Sequence, residues 1–211
     1  MSDIHAMMAT SPVIPVVAVP EGADAVALGR ALADGGVGII EVTLRTPGAV
    51  DAIAALARDG ALTVGAGTVW REDQARAVVD AGAEFIVTPG RSLPVWDVCQ
   101  ETGVPLLPGA QTTSEIADWV AHGLEAVKFF PAQYAGGIDA LKSFAAVFAG
   151  LKFCPTGGVS AGNLADYLAV PAVACVGGSW LTPADDIAAG NWSAITGRCR
   201  EALELASGAR G

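Results

Sequence analysis

Short apolar runs punctuate the chain every 20 to 26 residues: Val13–Val19, Gly38–Leu44, Leu62–Thr68, Phe85–Pro89, Pro105–Ala110, Ala126–Pro131, Lys152–Gly157 and Ala172–Gly177. Most are nearly continuous in Val, Ile, Leu, Phe and Ala, the pattern of strands buried on both faces of a parallel sheet. The segments between them change period. Ala25, Leu28 and Leu32 keep helical spacing, and Ile116, Trp119 and Val120 share one helix face. Thr46-Pro47 predicts an N-cap followed by an N1 proline. Thr112-x-x-Glu115 predicts a capping box, and Gly36, Gly60, Gly82, Gly103 and Gly123 fall where helices should end.

Eight alternating βα units in 211 residues predict a single-domain α/β protein, a (β/α)8 TIM barrel with a parallel eight-stranded sheet. A doubly wound open sheet is the alternative. The division expected is a short N-terminal extension over 1–10 and the barrel domain over 11–211. One or two helices over 183–208 should complete the outer layer.

Composition narrows the function. Apolar residues make up 52% and charged residues 16%, so the chain folds around a large core. A net charge of −10 leaves no basic stripe for phosphates of a nucleic acid, which excludes that partner class. Mean hydropathy is +0.47, which raises the question of a membrane. The longest uncharged stretches, near 4–20 and 168–184, are cut by prolines, so no membrane span is expected. Asp3 and the lack of early Lys or Arg argue against a secretory leader. Cys99, Cys154, Cys175 and Cys199 form no CxxC pair and read as thiols of a reducing cytoplasm. The only histidines are His5, expected in a tail, and His122, expected at a helix end. No metal-ligand spacing and no nucleophile–histidine–acid arrangement results.

Candidate chemistry gathers at predicted strand ends, where such barrels place their active sites. Lys128 lies inside the sixth apolar run, in Ala-Val-Lys-Phe-Phe-Pro. A buried ammonium is costly unless paired, so Lys128 is either half of a structural ion pair, with Glu41 as the nearest candidate, or an amine nucleophile. Strand alternation puts Glu41, Thr43 and Arg45 on one face. That face offers a proton-transferring carboxylate and an anion clamp, or alternatively a salt bridge between Glu41 and Arg45. Pro155-Thr-Gly-Gly158 and Val176-Gly-Gly-Ser179 close the last two predicted strands. Together with a helix expected to start near Ser160, they suggest a phosphate site built from backbone N–H groups. Gly65-Ala-Gly-Thr68 lacks the third glycine of a dinucleotide fingerprint. Thr68 either meets a substrate carboxylate or caps a helix, and Thr88-Pro-Gly90 and Pro108-Gly109 shape the pocket. These residues alone leave three readings: an enzyme with a nucleophilic lysine, a phosphosugar isomerase or epimerase, and a non-catalytic binder of phosphorylated metabolites. A site with one carboxylate and no histidine disfavours metal-dependent chemistry.

The motifs, taken in order, narrow this. Ile-Pro-Val (14–16), Glu-Val-Thr-Leu-Arg-Thr (41–46), Val-Gly-Ala-Gly-Thr (64–68), Lys-Phe-Phe-Pro-Ala (128–132), Cys-Pro-Thr-Gly-Gly (154–158) and Gly-Gly-Ser-Trp (177–180) resemble the class I aldolases of 2-keto-3-deoxy-6-phosphogluconate (KDPG) and 4-hydroxy-2-oxoglutarate (KHG). The resemblance covers about 11–205. Gln133 departs from the glutamate often found there in the family, a position with no chemical role attached. The resemblance implies a cytoplasmic, homotrimeric lyase that acts without metal or other cofactor, on a phosphorylated 2-oxo acid of the Entner–Doudoroff pathway. It implies Lys128 as the Schiff-base lysine and Glu41 as the proton-transfer group. Arg45 and Thr68 would hold the substrate carboxylate, with Pro89 and Phe130 lining the pocket and Thr156 beside the carbon chain. Gly157, Gly158, Gly178 and Ser179 would bind phosphate.

Overall fold

A computed structural model describes residues 4–209. Residues 1–3 of the expected extension lie outside the described residues. The rest of it forms a helix, α1 (Ile4–Ala9), with Met7 and Met8 buried against the core. His5 therefore sits in a helix and not in a tail.

Strands and helices alternate thereafter: β1 (Val13–Val17), α2 (Ala25–Asp34), β2 (Ile39–Thr43), α3 (Ala49–Asp59), β3 (Thr63–Gly67), α4 (Glu72–Asp80), β4 (Phe85–Val87) and α5 (Leu93–Thr102). Next come β5 (Leu106–Leu107), β6 (Gly109–Ala110), α6 (Thr113–Ala121), β7 (Ala126–Phe129) and α7 (Gly137–Val147). The order ends with β8 (Lys152–Pro155), α8 (Leu164–Leu168), β9 (Val176–Gly178), α9 (Ala184–Ala189) and α10 (Trp192–Ala209).

Most predicted periodicities are realised, although Val120, expected on one face with Ile116 and Trp119, is exposed while those two are buried. All five residues of β2 are buried, as expected of a strand covered on both faces. Leu28 and Leu32 of α2 are fully buried, each contributing about 1.5–3 kcal/mol of hydrophobic stabilisation. Thr112 and Glu115 form the capping box at α6, and the five predicted helix-ending glycines take φ between 69° and 93°.

The closed eight-stranded barrel is not what the hydrogen bonds build. The strands form two parallel sheets, one of six strands in the order β5-β4-β3-β2-β1-β9 and one of three in the order β6-β7-β8. The physical reason lies in the fifth predicted strand. Pro108 interrupts it and has no N–H to give to a ladder. Its first half pairs with β4 (Ile86 opposite Leu106), and its second half pairs with β7 (Gly109 opposite Lys128). Between β8 and β9 no ladder forms among the described residues; isolated bridges join Phe153 of β8 to Val173, before β9, and Thr156, after β8, to Gly177 of β9. The chain is α/β with parallel strands, in two sheets instead of one closed sheet.

Two helix starts also differ from expectation. Thr46-Pro47 does not cap α3. The segment turns tightly, with the Arg45 N–H donating to the Thr43 carbonyl at 2.8 Å, and α3 begins only at Ala49 with Gly48 at its N-cap. The helix expected near Ser160 begins at Leu164. Asn163 spends its side chain on the preceding turn, accepting from the Ser160 N–H and donating to the Gly158 carbonyl.

Candidate active site

The carboxyl ends of strands from both sheets open onto one cleft of about 340 Å³. Every residue assigned to catalysis, substrate or phosphate lines it, whereas Thr88, Gly90, Pro108 and Gly109, expected to shape the pocket, are not among its lining residues. Glu41 comes from β2 and Arg45 from the turn after it, while Thr68 and Pro89 follow β3 and β4. Lys128 comes from β7, with Phe130 just beyond. Thr156, Gly157 and Gly158 follow β8, and Gly178 and Ser179 close β9. The separation into two sheets leaves this convergence intact, because strand direction and strand ends, not a continuous ladder, place the residues.

At its floor Lys128 Nζ donates to Glu41 Oε1 at 2.9 Å and to Oε2 at 3.3 Å. Both side chains are nearly inaccessible, at 6% and 3%. The expected alternative, a Glu41–Arg45 salt bridge, does not form; Glu41 belongs to Lys128. At this separation the Coulomb attraction is roughly 6 kcal/mol with an effective dielectric constant of 20. Desolvating two ions costs several kcal/mol each. The two terms approximately cancel, so the pair is a poor device for stability and a good one for holding an amine beside a proton acceptor. The Lys128 ammonium also sits 5.4 Å from the Phe130 ring centroid.

Gly67 makes room for the carboxylate. A Cβ at that position would stand 2.1 Å from Glu41 Oε1 and 2.6 Å from its Cγ. The Val-Gly-Ala-Gly-Thr motif therefore has a steric function here. Its last residue, Thr68, holds φ at 60°, the only positive value of a non-glycine residue among those described. Such a conformation costs of order 1 kcal/mol or more and persists only where surrounding structure enforces it.

At the other end of the cleft Gly157 and Gly158 take φ of 93° and 82°. The Gly157 carbonyl accepts from Gln133 N–H at 3.0 Å, and that of Gly158 from Asn163 Nδ2 at 2.9 Å. Across a trans peptide the N–H points opposite to the carbonyl. The N–H groups of Gly158 and Val159 are thus turned away from Gln133 and Asn163, and the loop that carries them lines the cleft. An anion can be met there by backbone dipoles alone. Gln133, with its Oε1 accepting from Tyr167 at 3.3 Å, supports the loop from outside.

Sequence reasoning gave no role to Thr43, Val16 or Val159, which also line the cleft. Thr43 was legible through its i+2 spacing from Glu41, and Val16 closes the Ile-Pro-Val motif; Val159 carried no signal beyond hydrophobicity. The histidines lie elsewhere: His5 pairs with Glu125 at 3.0 Å, and His122 caps α6. No group of three or more His, Cys, Asp or Glu that could hold a metal ion occurs among the described residues.

The model of the aldolase family described as KDPG and KHG aldolase matches residues 4–198. The chain belongs to this family. Among family members, the KHG/KDPG aldolase of Escherichia coli (strain K12) is 46% identical over 201 residues, which are 95% of this chain and 94% of that one. The 2-dehydro-3-deoxy-phosphogluconate aldolase of Dickeya dadantii is 43% identical, covering 93% of each. A crystal structure of the KDPG aldolase of Legionella pneumophila has a TM-score of 0.93 and 43% identity, covering 96% of this chain and 98% of that one. That family structure has pyruvate captured at low pH as a covalent carbinolamine intermediate.

Proposed function

We propose that this chain is a class I aldolase, a lyase that cleaves KDPG to pyruvate and glyceraldehyde 3-phosphate through a Schiff base on Lys128. The observation that carries this is the buried amine of Lys128, 2.9 Å from the Glu41 carboxylate at the floor of the cleft. Family membership and the pyruvate carbinolamine of the Legionella relative support it. The same chemistry extends to KHG, which would yield pyruvate and glyoxylate. An isomerase or a passive binder has no use for a buried nucleophilic lysine.

Glu41 takes a proton from the Lys128 ammonium, and the free amine adds to the C2 ketone of the substrate. The resulting carbinolamine loses its hydroxyl as water, protonated by Glu41, and becomes an iminium. The Glu41 carboxylate then removes the proton of the C4 hydroxyl. The electron pair of the C3–C4 bond moves into the iminium, giving an enamine and releasing the aldehyde. Return of the proton to C3 regenerates the iminium, and water hydrolyses it to pyruvate and the Lys128 ammonium beside the Glu41 carboxylate, the state in which the cycle began. The iminium is the electron sink, so the reaction calls on no metal or other cofactor.

Arg45 and Thr68 hold the substrate carboxylate, Pro89 and Phe130 form the walls, and Thr156 lies along the carbon chain. Gly157, Gly158, Gly178 and Ser179 take the phosphate. The cleft carries two cations, Lys128 and Arg45, against one anion, Glu41. An anionic substrate is thereby accepted locally although the whole chain has a charge of −10; that distant charge is screened by salt. Family resemblance supports a homotrimer of one aldolase domain (11–211) with its extension (1–10). It also supports a place in the Entner–Doudoroff pathway of the cytoplasm. No helix of the described residues is long and apolar enough to cross a membrane.

The test is intact mass after mixing protein, pyruvate and borohydride. A reduced adduct adds about 72 Da, pyruvic acid less water plus two hydrogens, on the peptide holding Lys128. A folded protein that gains no mass refutes the Schiff-base reading.

A further inference from the structure

We propose that Thr43 is a positioning residue that aims the Arg45 guanidinium at the substrate carboxylate; this rests on the aldolase reading above. Thr43 is buried, at 2% exposure. Its hydroxyl has one hydrogen and donates it to the Val17 carbonyl of β1 at 3.0 Å. That fixes the rotor, so the oxygen lone pairs face the other way, where they accept from Arg45 Nε at 3.0 Å. The backbone adds a second restraint, the 2.8 Å bond from the Arg45 N–H to the Thr43 carbonyl. A long side chain in an exposed turn is thus tied to the rigid β1–β2 ladder through one hydroxyl.

The tie also decides which edge of the guanidinium is free. The single Nε hydrogen is spent on Thr43, so a carboxylate must be gripped by the two terminal Nη groups. No carboxylate among the described residues forms a salt bridge with Arg45. The fork is therefore held in place without being neutralised, a pre-organisation that reduces the ordering cost of binding.

The experiment is borohydride trapping at Lys128 as a function of ketone concentration, with pyruvate and with its methyl ester, which lacks the anionic group. Thr43→Val is close to isosteric and removes both hydrogen bonds; Thr43→Ala removes them too if Val prevents folding, and melting curves verify the fold. Loss of one charge-assisted hydrogen bond predicts that half-saturation by pyruvate rises about tenfold in Thr43→Val, with the ester unchanged. Thr43→Ser should restore pyruvate affinity, and Thr43→Val should add nothing in an Arg45→Ala background. Equal losses for pyruvate and ester, failure of serine to rescue, or a loss that persists without Arg45 each overturn the proposal. An unmodified protein that traps neither ketone overturns the aldolase reading, and this proposal with it, and that outcome is distinct because it appears before any substitution.

Discussion

Gly67→Ala tests whether the placement of Glu41 matters for turnover. The backbone of Gly67 is not in the left-handed region, so alanine fits its φ and ψ and the consequence is steric only. The new Cβ would meet Glu41 Oε1 at 2.1 Å, Cγ at 2.6 Å and Cδ at 2.7 Å. The first of these is more than 1 Å short of ordinary van der Waals contact, which begins near 3.4 Å, and the other two are also well inside it. Glu41 must move, and it is held on its other side by Lys128 at 2.9 Å. A misplacement of about 1 Å at reacting groups costs of order 100-fold in rate, so kcat should fall by about that factor. Overpacking a buried site typically costs about 1–3 kcal/mol, a modest drop in melting temperature. The assay is pyruvate release from KDPG, coupled to lactate dehydrogenase, with a melting curve on the same sample. In a Glu41→Gln background, itself expected to lose about 10²–10⁴-fold, Gly67→Ala should cost little more, because it acts through the displaced carboxylate. A Gly67→Ala protein that turns over near the parental rate would show that the position of Glu41 is not what the reaction depends on.

Two further predictions concern groups away from the chemistry. Burial pushes the Cys99 thiol up to about 12 and that of Cys199 up to about 11, the latter partly opposed by Arg198. Only ~10⁻⁴ of Cys99 is then thiolate near pH 8, so Ellman's reagent should leave both untouched in the native protein and titrate all four cysteines in guanidinium; prompt native labelling of the Cys99 peptide would contradict this. Burial alone would raise the Glu115 pKa, but hydrogen bonds from Gln111 N–H, the Thr112 hydroxyl and Thr112 N–H outweigh it and hold the carboxyl below its ordinary 4.5. As pH falls the unfolded chain takes up this proton first, so the stability from Glu115 is full above the ordinary value of 4.5 and is lost as pH drops through the lower folded value. The melting-temperature difference between the protein and Glu115→Gln should therefore shrink on acidification below that value; a difference that stays constant or grows down to pH ~3 would refute it.

The site was more legible in the sequence than the sheet. Glu41 and Lys128 stand out because a charge inside an apolar strand is costly, and that cost is visible without coordinates. The capping box at Thr112 and the helix-ending glycines were equally direct, since each is a local hydrogen-bond or backbone requirement. Local signals failed where a second demand overrode them. Thr46-Pro47 has the composition of a helix start, but those residues are used in the turn that carries Arg45 to the cleft, and α3 waits until Ala49. Ser160 loses its helix because Asn163 bonds to the turn before it.

The sheet was misread because periodicity reports the burial of a strand but not its partner. Pro105–Ala110 reads as one strand, and the missing N–H of Pro108 is visible in the sequence, yet its effect depends on which neighbours compete for either half. Leu106 goes to β4 and Gly109 to β7. That break has a chemical consequence. Gly109 pairs with Lys128 in register, the Pro108 carbonyl accepts from the Lys128 N–H at 2.8 Å, and Trp119 of α6 donates its indole N–H to the Gly109 carbonyl at 3.2 Å. The segment after the proline thus fixes the backbone of the lysine that faces Glu41. The interruption that prevents a single closed ladder is the same one that clamps the strand bearing the amine, so the residues still converge on one cleft although the sheet does not close.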